Sequence, residues 1–200
     1  MKDFWNARYS QKEYAYGKLP NKFFKNELLK LNAGRILLPG EGEGRNAVFA
    51  AEMGWEVDAF DHSEEALKKA TELANHRNVE IDYTVSDFDD FNTSLNKYDC
   101  IALIFVHVPK EKRKLLHRKL TNLLVPGGML ILEGFSKSQI SRGSGGPKNI
   151  DMLFSKEELL DDFQDLSKMK IQTIETKLDE GEFHKGQASV IRLTAIKPTP

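Results

Sequence analysis

The stretch Ile36-Leu37-Leu38-Pro39-Gly40-Glu41-Gly42-Glu43-Gly44-Arg45-Asn46 constrains the fold more than any other part of the chain. An apolar run that reads as a buried strand stops at three alternating glycines, and a helix-like segment follows from Ala47. Glycines at a strand-to-helix turn reach dihedrals closed to other residues and let a ligand come close to the backbone. Spacing narrows the reading. A dinucleotide fingerprint places its third glycine three residues after the second, and that position here is Arg45. The pattern is G-x-G-x-G instead.

Strand and helix signals alternate around this turn. Residues 35–38, 55–60, 79–85, 98–106 and 129–134 read as strands, separated by helical segments at 45–53, 63–74 and 110–124. Such alternation points to a doubly wound α/β sheet, mostly parallel. Ser63 is expected to cap one helix, and Ser155 with Glu158 has the spacing of a capping box. The runs 170–178 and 188–197 are too close for a parallel crossover, so they must form an antiparallel hairpin. Residues 1–20 are aromatic-rich and poorly periodic; they read either as a disordered leader or, given so many large rings, as an N-terminal lid segment docked on the body. Residues 136–149 read as a substrate-side loop within a single domain spanning 1–200.

Composition excludes several classes. The formal net charge of −1 gives no electrostatic case for a nucleic-acid or anionic-membrane partner. Cys100 is the only cysteine, which rules out an internal disulfide and suits a reducing cytoplasm. No segment has the roughly 20 apolar residues of a membrane span, and the first residues lack a signal-peptide core. The histidines lack metal-ligand spacing, so no metal site is expected. His117 and Arg118 fall on a charged helical segment and read as solvated.

In a doubly wound sheet the ligand lies at the carboxyl ends of the central strands. Asp61, roughly twenty residues past the glycines, can accept from both hydroxyls of a ribose. Ser86-Asp87-Phe88 offers a carboxylate and a ring for an adenine amine and its π-face. Taken singly, glycine turns are common, Asp61 could cap a helix, and Asp87 could be a loop acid. Each following its own strand, in order, they argue together.

Gly40-x-Gly42-x-Gly44, Asp61, Ser86-Asp87-Phe88 and Leu124-Val125-Pro126-Gly127-Gly128 resemble successive motifs of class I S-adenosylmethionine (SAM)-dependent methyltransferases. Trp5-x-x-Arg8-Tyr9, Tyr16-Gly17, Pro20-Asn21 and Gly44-Arg45-Asn46-Ala47 resemble the small bacterial tellurite-resistance and thiopurine-methyltransferase-like members. The resemblance implies a Rossmann-like seven-stranded sheet with an antiparallel C-terminal hairpin strand. It implies SAM as cofactor, with S-adenosylhomocysteine as product, and a small-molecule acceptor such as a thiol, oxyanion or amine. Gly40, Gly42 and Gly44 would then lie against the methionine part, Asp61 would bind ribose, and Asp87 with Phe88 would hold adenine. Trp5, Arg8 and Tyr9 would fold over the cofactor, with Arg8 suited to its carboxylate. Glu41, Asn46, His62, Ser63 and Phe105 complete the cofactor-side candidates. The family often has an acid two positions before the first glycine, where this chain has Leu38, so the cofactor amine would need backbone carbonyls, Glu41 or Glu43.

On the acceptor side, His107 ends the fourth strand and reads either as a general base or as a hydrogen-bonded strand-end histidine. Arg142 lies in the 136–149 loop, which reads either as a lid favouring an anionic acceptor or as plain surface. Tyr16 and His184 are weaker candidates. A SAM-binding protein without catalysis is the alternative reading, as a monomer or homodimer in either case. An NAD-linked short-chain oxidoreductase fits poorly, because residues 110–124 hold no tyrosine for its Tyr-x-x-x-Lys pair.

Overall fold

The structure, a computed structural model, describes residues 2–95 and 97–199. Its elements run α1 (Lys2–Tyr9), α2 (Lys22–Leu28), β1 (Arg35–Pro39), α3 (Arg45–Glu52), β2 (Glu56–Asp61), α4 (Glu64–Arg77), β3 (Asp82–Val85) and β4 (Tyr98–Ile104). They continue with α5 (Lys110–Asn122), β5 (Leu124–Phe135), α6 (Lys156–Asp162), β6 (Ser167–Asp179) and β7 (Lys185–Ile196). One seven-stranded sheet has the order β3-β2-β1-β4-β5-β7-β6. β7 slots antiparallel between β5 and β6, and every other pairing outside that hairpin is parallel.

Period-2 alternation divides the core. Ile36, Leu38, Cys100 and Ala102 face α2 and α3, with Phe24, Ala47 and Phe49 packed on them. Leu37, Ile101, Leu103, Leu130 and Leu132 face the other way, toward Leu116 and Leu120 of α5 and Leu159 of α6. Each fully buried Leu, Ile or Phe side chain among them contributes about 1.5–3 kcal/mol. Because both faces are covered, β4 is apolar almost throughout.

Helix starts follow their caps. Asn21 accepts from Phe24 N–H, Ser63 from Ala66 N–H, and Ser155 with Glu158 forms the reciprocal capping box. α3 begins at Gly44, which has no side chain to cap with. Glu41 serves instead, accepting from Asn46 N–H at 2.7 Å and Ala47 N–H at 2.8 Å.

Three expectations change. The leader contains a helix, α1, whose hold on the body is tertiary: Ser63 Oγ donates to Asn6 Oδ1 at 2.6 Å. Pro126-Gly127-Gly128, whose Pro-Gly-Gly composition reads as a turn before the strand 129–134, is instead an irregularity inside β5, where the pairing with β4 shifts register between Tyr98 and Cys100. His117 is buried rather than solvated. Its Nδ1 meets Asp162 Oδ2 at 2.9 Å, and Arg113 Nε donates to that oxygen at 2.7 Å, tying α5 to α6. A buried charge needs such partners.

Candidate active site

β1, β2, β3 and β4 all end on one rim, and the candidate residues gather there. The glycine turn is held from below. Tyr83 Oη donates to Gly42 C=O at 2.6 Å, and Glu41 N–H donates to Phe60 C=O at 3.2 Å. Gly40 (φ 62°) and Gly42 (φ 63°) are left-handed, so side chains there would be strained. Space is short as well: an added Cβ on Gly40 would sit 3.2 Å from Phe88 Cζ, and one on Gly42 2.7 Å from Tyr9 Oη. Gly44 does different work. Its Hα side packs on Ala70 of α4, so it serves helix packing rather than the rim.

Asp61 is buried and accepts from Gly42 N–H at 3.1 Å and Ser63 N–H at 3.0 Å. Burial raises its pKa above the usual carboxylate range, against the pull of His62 and these N–H groups. A carboxylate has about four lone-pair sites, so acceptor capacity remains. Beside it His62 has a buried Nε2 with no hydrogen-bond partner. Its Nδ1 lies 3.7 Å from Asp87 Oδ1, which brings the loops after β2 and β3 together. Phe88 packs edge-on to Phe60 at 5.5 Å and against Gly40. Ser63 and Asn46 have partners of their own: Ser63 joins α1 to α4, while Asn46 Oδ1 accepts from Asn21 N–H at 2.9 Å and its Nδ2 donates to Glu41 Oε2 at 3.3 Å.

The lid lies across this rim. Trp5 stacks on Tyr9 at 5.4 Å, and Tyr9 is buried against Gly42. Burial, with Asp61 nearby, raises the Tyr9 hydroxyl well above its usual pKa, so it remains a neutral donor. Arg8 lies over the Phe183 ring at 4.1 Å and donates to Tyr16 Oη at 2.9 Å. Glu43 latches the lid: it accepts from Ala15 N–H at 2.8 Å and from Lys69 Nζ at 2.7 Å. Neither Glu41 nor Glu43 therefore extends freely from the turn.

Next to the lid stands an aromatic wall. Phe105 ends β4 with φ 56°, a strained conformation for a bulky residue. It meets His184 at 4.4 Å and Phe135 at 4.7 Å, while Tyr16 meets His184 at 4.4 Å. His184 is buried, its Nδ1 makes no hydrogen bond, and Glu180 Oε2 is 3.8 Å away. Burial lowers the His184 pKa. Glu180 is also buried, yet its partners His184 and Arg45 hold its carboxyl down at about 2. The hint in the sequence was Glu180-x-x-x-His184 in a short hairpin beside Phe183.

The two acceptor-side candidates are committed to other partners, although His107 stacks on Phe135 of the wall at 5.7 Å. His107 has both ring nitrogens engaged: Nδ1 contacts Met152 C=O at 2.7 Å, and Nε2 accepts from Phe135 N–H at 3.0 Å. Burial lowers its pKa to about 4. It staples β5 to the following loop and has no lone pair to offer as a base. Arg142 pairs with Glu175 of β6 at 2.6 Å, on the outer edge of the sheet. The loop between β5 and α6 is ordered around Gln139, which bonds Ser144 Oγ, Gly145 C=O and Ser189 N–H.

A profile of the methyltransferase-domain family matches residues 36–128, from β1 through the Pro-Gly-Gly irregularity of β5. Over those residues the chain is similar to a methyltransferase domain. A glycine/sarcosine N-methyltransferase of Halorhodospira halochloris is 34% identical over 117 residues, 56% of this chain and 43% of that protein. A probable SAM-dependent methyltransferase, TehB, of Haemophilus influenzae is 24% identical over 164 residues, 78% of this chain and 54% of that one. The chain thus spans about half the length of these curated relatives. In fold, it matches a structure described as converting a disulfide bond into a thioacetal group during echinomycin biosynthesis. That match has a TM-score of 0.80 at 16% identity, covering 99% of this chain and 92% of the other. Among the described residues, no helix is long and apolar enough to cross a membrane.

Proposed function

We propose that this protein transfers a methyl group from SAM to a small-molecule acceptor. One observation carries the reading: Asp61 and the unpartnered Nε2 of His62 offer spare polar capacity on the rim shared by the glycine turn and Asp87-Phe88. These residues fit an adenosyl group. Asp61 has lone pairs left for ribose hydroxyls, His62 Nε2 seeks a polar partner, and Phe88 supplies a ring beside a bare glycine backbone.

When bound, SAM supplies a methyl carbon already activated by its sulfonium. The protein's part is to orient and to exclude water, a gain of up to about 7–11 kcal/mol. Tyr9 and Trp5 close the rim, and Glu43 keeps the lid down. On the wall, His184 has an unpartnered Nδ1 beside Glu180, while Arg8 and Arg45 place positive charge near Tyr16. That setting suits a thiol or amine that loses a proton as it is methylated, or an oxyanion that carries none.

Glu41 provides a pH test. Burial pushes its carboxyl up to about 7, against three hydrogen bonds that favour ionisation. From about pH 6 to about pH 8 it loses its proton, and a cationic cofactor binds the ionised form better. SAM affinity should therefore rise several-fold across that window in a calorimetric titration. Glu41→Gln should flatten the rise, and an equal slope in both proteins would remove Glu41 from the cradle.

A SAM-binding protein without turnover is the second reading, favoured by the packing of Tyr9 onto Gly42. Formation of S-adenosylhomocysteine with a panel of thiols, oxyanions and amines decides between them. Binding without product from any of these would favour the second.

A further inference from the structure

Asn21 sits where the lid joins the body and is almost wholly buried. Its side chain is fully committed. Oδ1 accepts from Phe24 N–H at 2.9 Å and caps α2. Nδ2 donates to Glu133 Oε1 at 2.6 Å and to Glu180 Oε1 at 3.1 Å. The cap needs the oxygen alone, which Ser or Asp would supply as well. The amide nitrogen answers another need: one neutral group stands between two buried carboxylates, one on β5 and one at the β6–β7 hairpin. Glu133 is also held by Arg192 Nε of β7, and Glu180 Oε2 accepts from Arg45 Nη2 at 2.8 Å.

We propose that Asn21 is a positioning residue for the acceptor wall, its Nδ2 bridging Glu133 and Glu180 so that Glu180 keeps its place bonded to Arg45 and beside His184. The proposal rests on reading that wall as the acceptor side. It gives the Pro20-Asn21 pair a role beyond ending the lid. Removing the nitrogen frees Glu180 to turn from Glu133, and a charge in its place sets three carboxylates together. The titratable and charged groups facing this point are Glu133 and Arg192 from the sheet, Glu180 from the hairpin, Arg45 at the start of α3, Arg8 from the lid and His107 after β4.

The test follows the His184 imidazole by NMR in the full chain, with the signal assigned through His184→Gln. Asn21→Asp keeps the α2 cap and adds negative charge, so the His184 titration should move up by at least about half a pH unit. Asn21→Ser keeps the cap without the donor pair and should shift it less, in the same direction. If Asn21→Asp does not fold, Asn21→Ser decides. An unchanged His184 titration in a folded variant overturns the proposal, because a residue that only capped α2 would alter thermal stability and leave the imidazole alone. S-Adenosylhomocysteine is titrated in parallel. Failure of the unsubstituted protein to bind it would instead strike the methyltransferase reading, and with it the acceptor role of the wall.

Discussion

Asp61→Ala is expected to weaken SAM and S-adenosylhomocysteine binding at least tenfold while leaving the protein folded. The carboxylate is buried at the end of β2 and shares its oxygens between Gly42 N–H and Ser63 N–H. Hydrogen bonds to a charged group are worth roughly 1.5–3 kcal/mol each, and losing even one to a ribose hydroxyl would cost a factor of about ten or more. The substitution also releases Gly42 N–H, so the turn loses part of its fixed shape. Its stability cost is smaller, because burial already disfavours the ionised form, as the raised pKa records. Asp61→Asn, which keeps one acceptor oxygen, should fall between the two. Calorimetry on the three proteins measures this, and equal affinities would remove Asp61 from the site.

Gly44→Val should lower the melting temperature by on the order of 10 °C. Gly44 has φ 86°, where a side chain costs about 1–2 kcal/mol. An added Cβ would lie 2.6 Å from Ala70 Cβ and 2.8 Å from Ala70 Cα, so the clash involves backbone that cannot rotate away. Overpacking of that kind adds about 1–3 kcal/mol, and a branched residue worsens it. Gly143 is the control. Nothing lies within 4 Å of its Cβ position, and Gly143→Ala should stay within about 0.5 kcal/mol of the parent. Similar melting temperatures for the two variants would mean that α3 and α4 do not meet at Gly44.

Local chemistry made much of this fold legible. Strands covered on both faces are apolar, helices begin at Ser63 and Ser155, and a hairpin too short for a crossover must run antiparallel. What stayed hidden depends on distant partners. α1 has weak periodicity, and its contacts with Ser63 and Tyr16 come from elsewhere in the chain. His117 looked solvated because Asp162, 45 residues on, was not visible as its partner. The same holds at the site. Backbone groups of Met152 and Phe135 engage both nitrogens of His107, and Glu175 on another strand holds Arg142. His184 sat in a hairpin of ordinary composition, and only the fold sets it among Tyr16, Phe105 and Phe135.

The most direct measurement is a crystal structure of the purified protein with S-adenosylhomocysteine. The account predicts ligand density along Gly40 and Gly42, with the ribose on Asp61 and the adenine beside Asp87 and Phe88. Density at any other place, with Asp61 and His62 keeping their present partners, would contradict it.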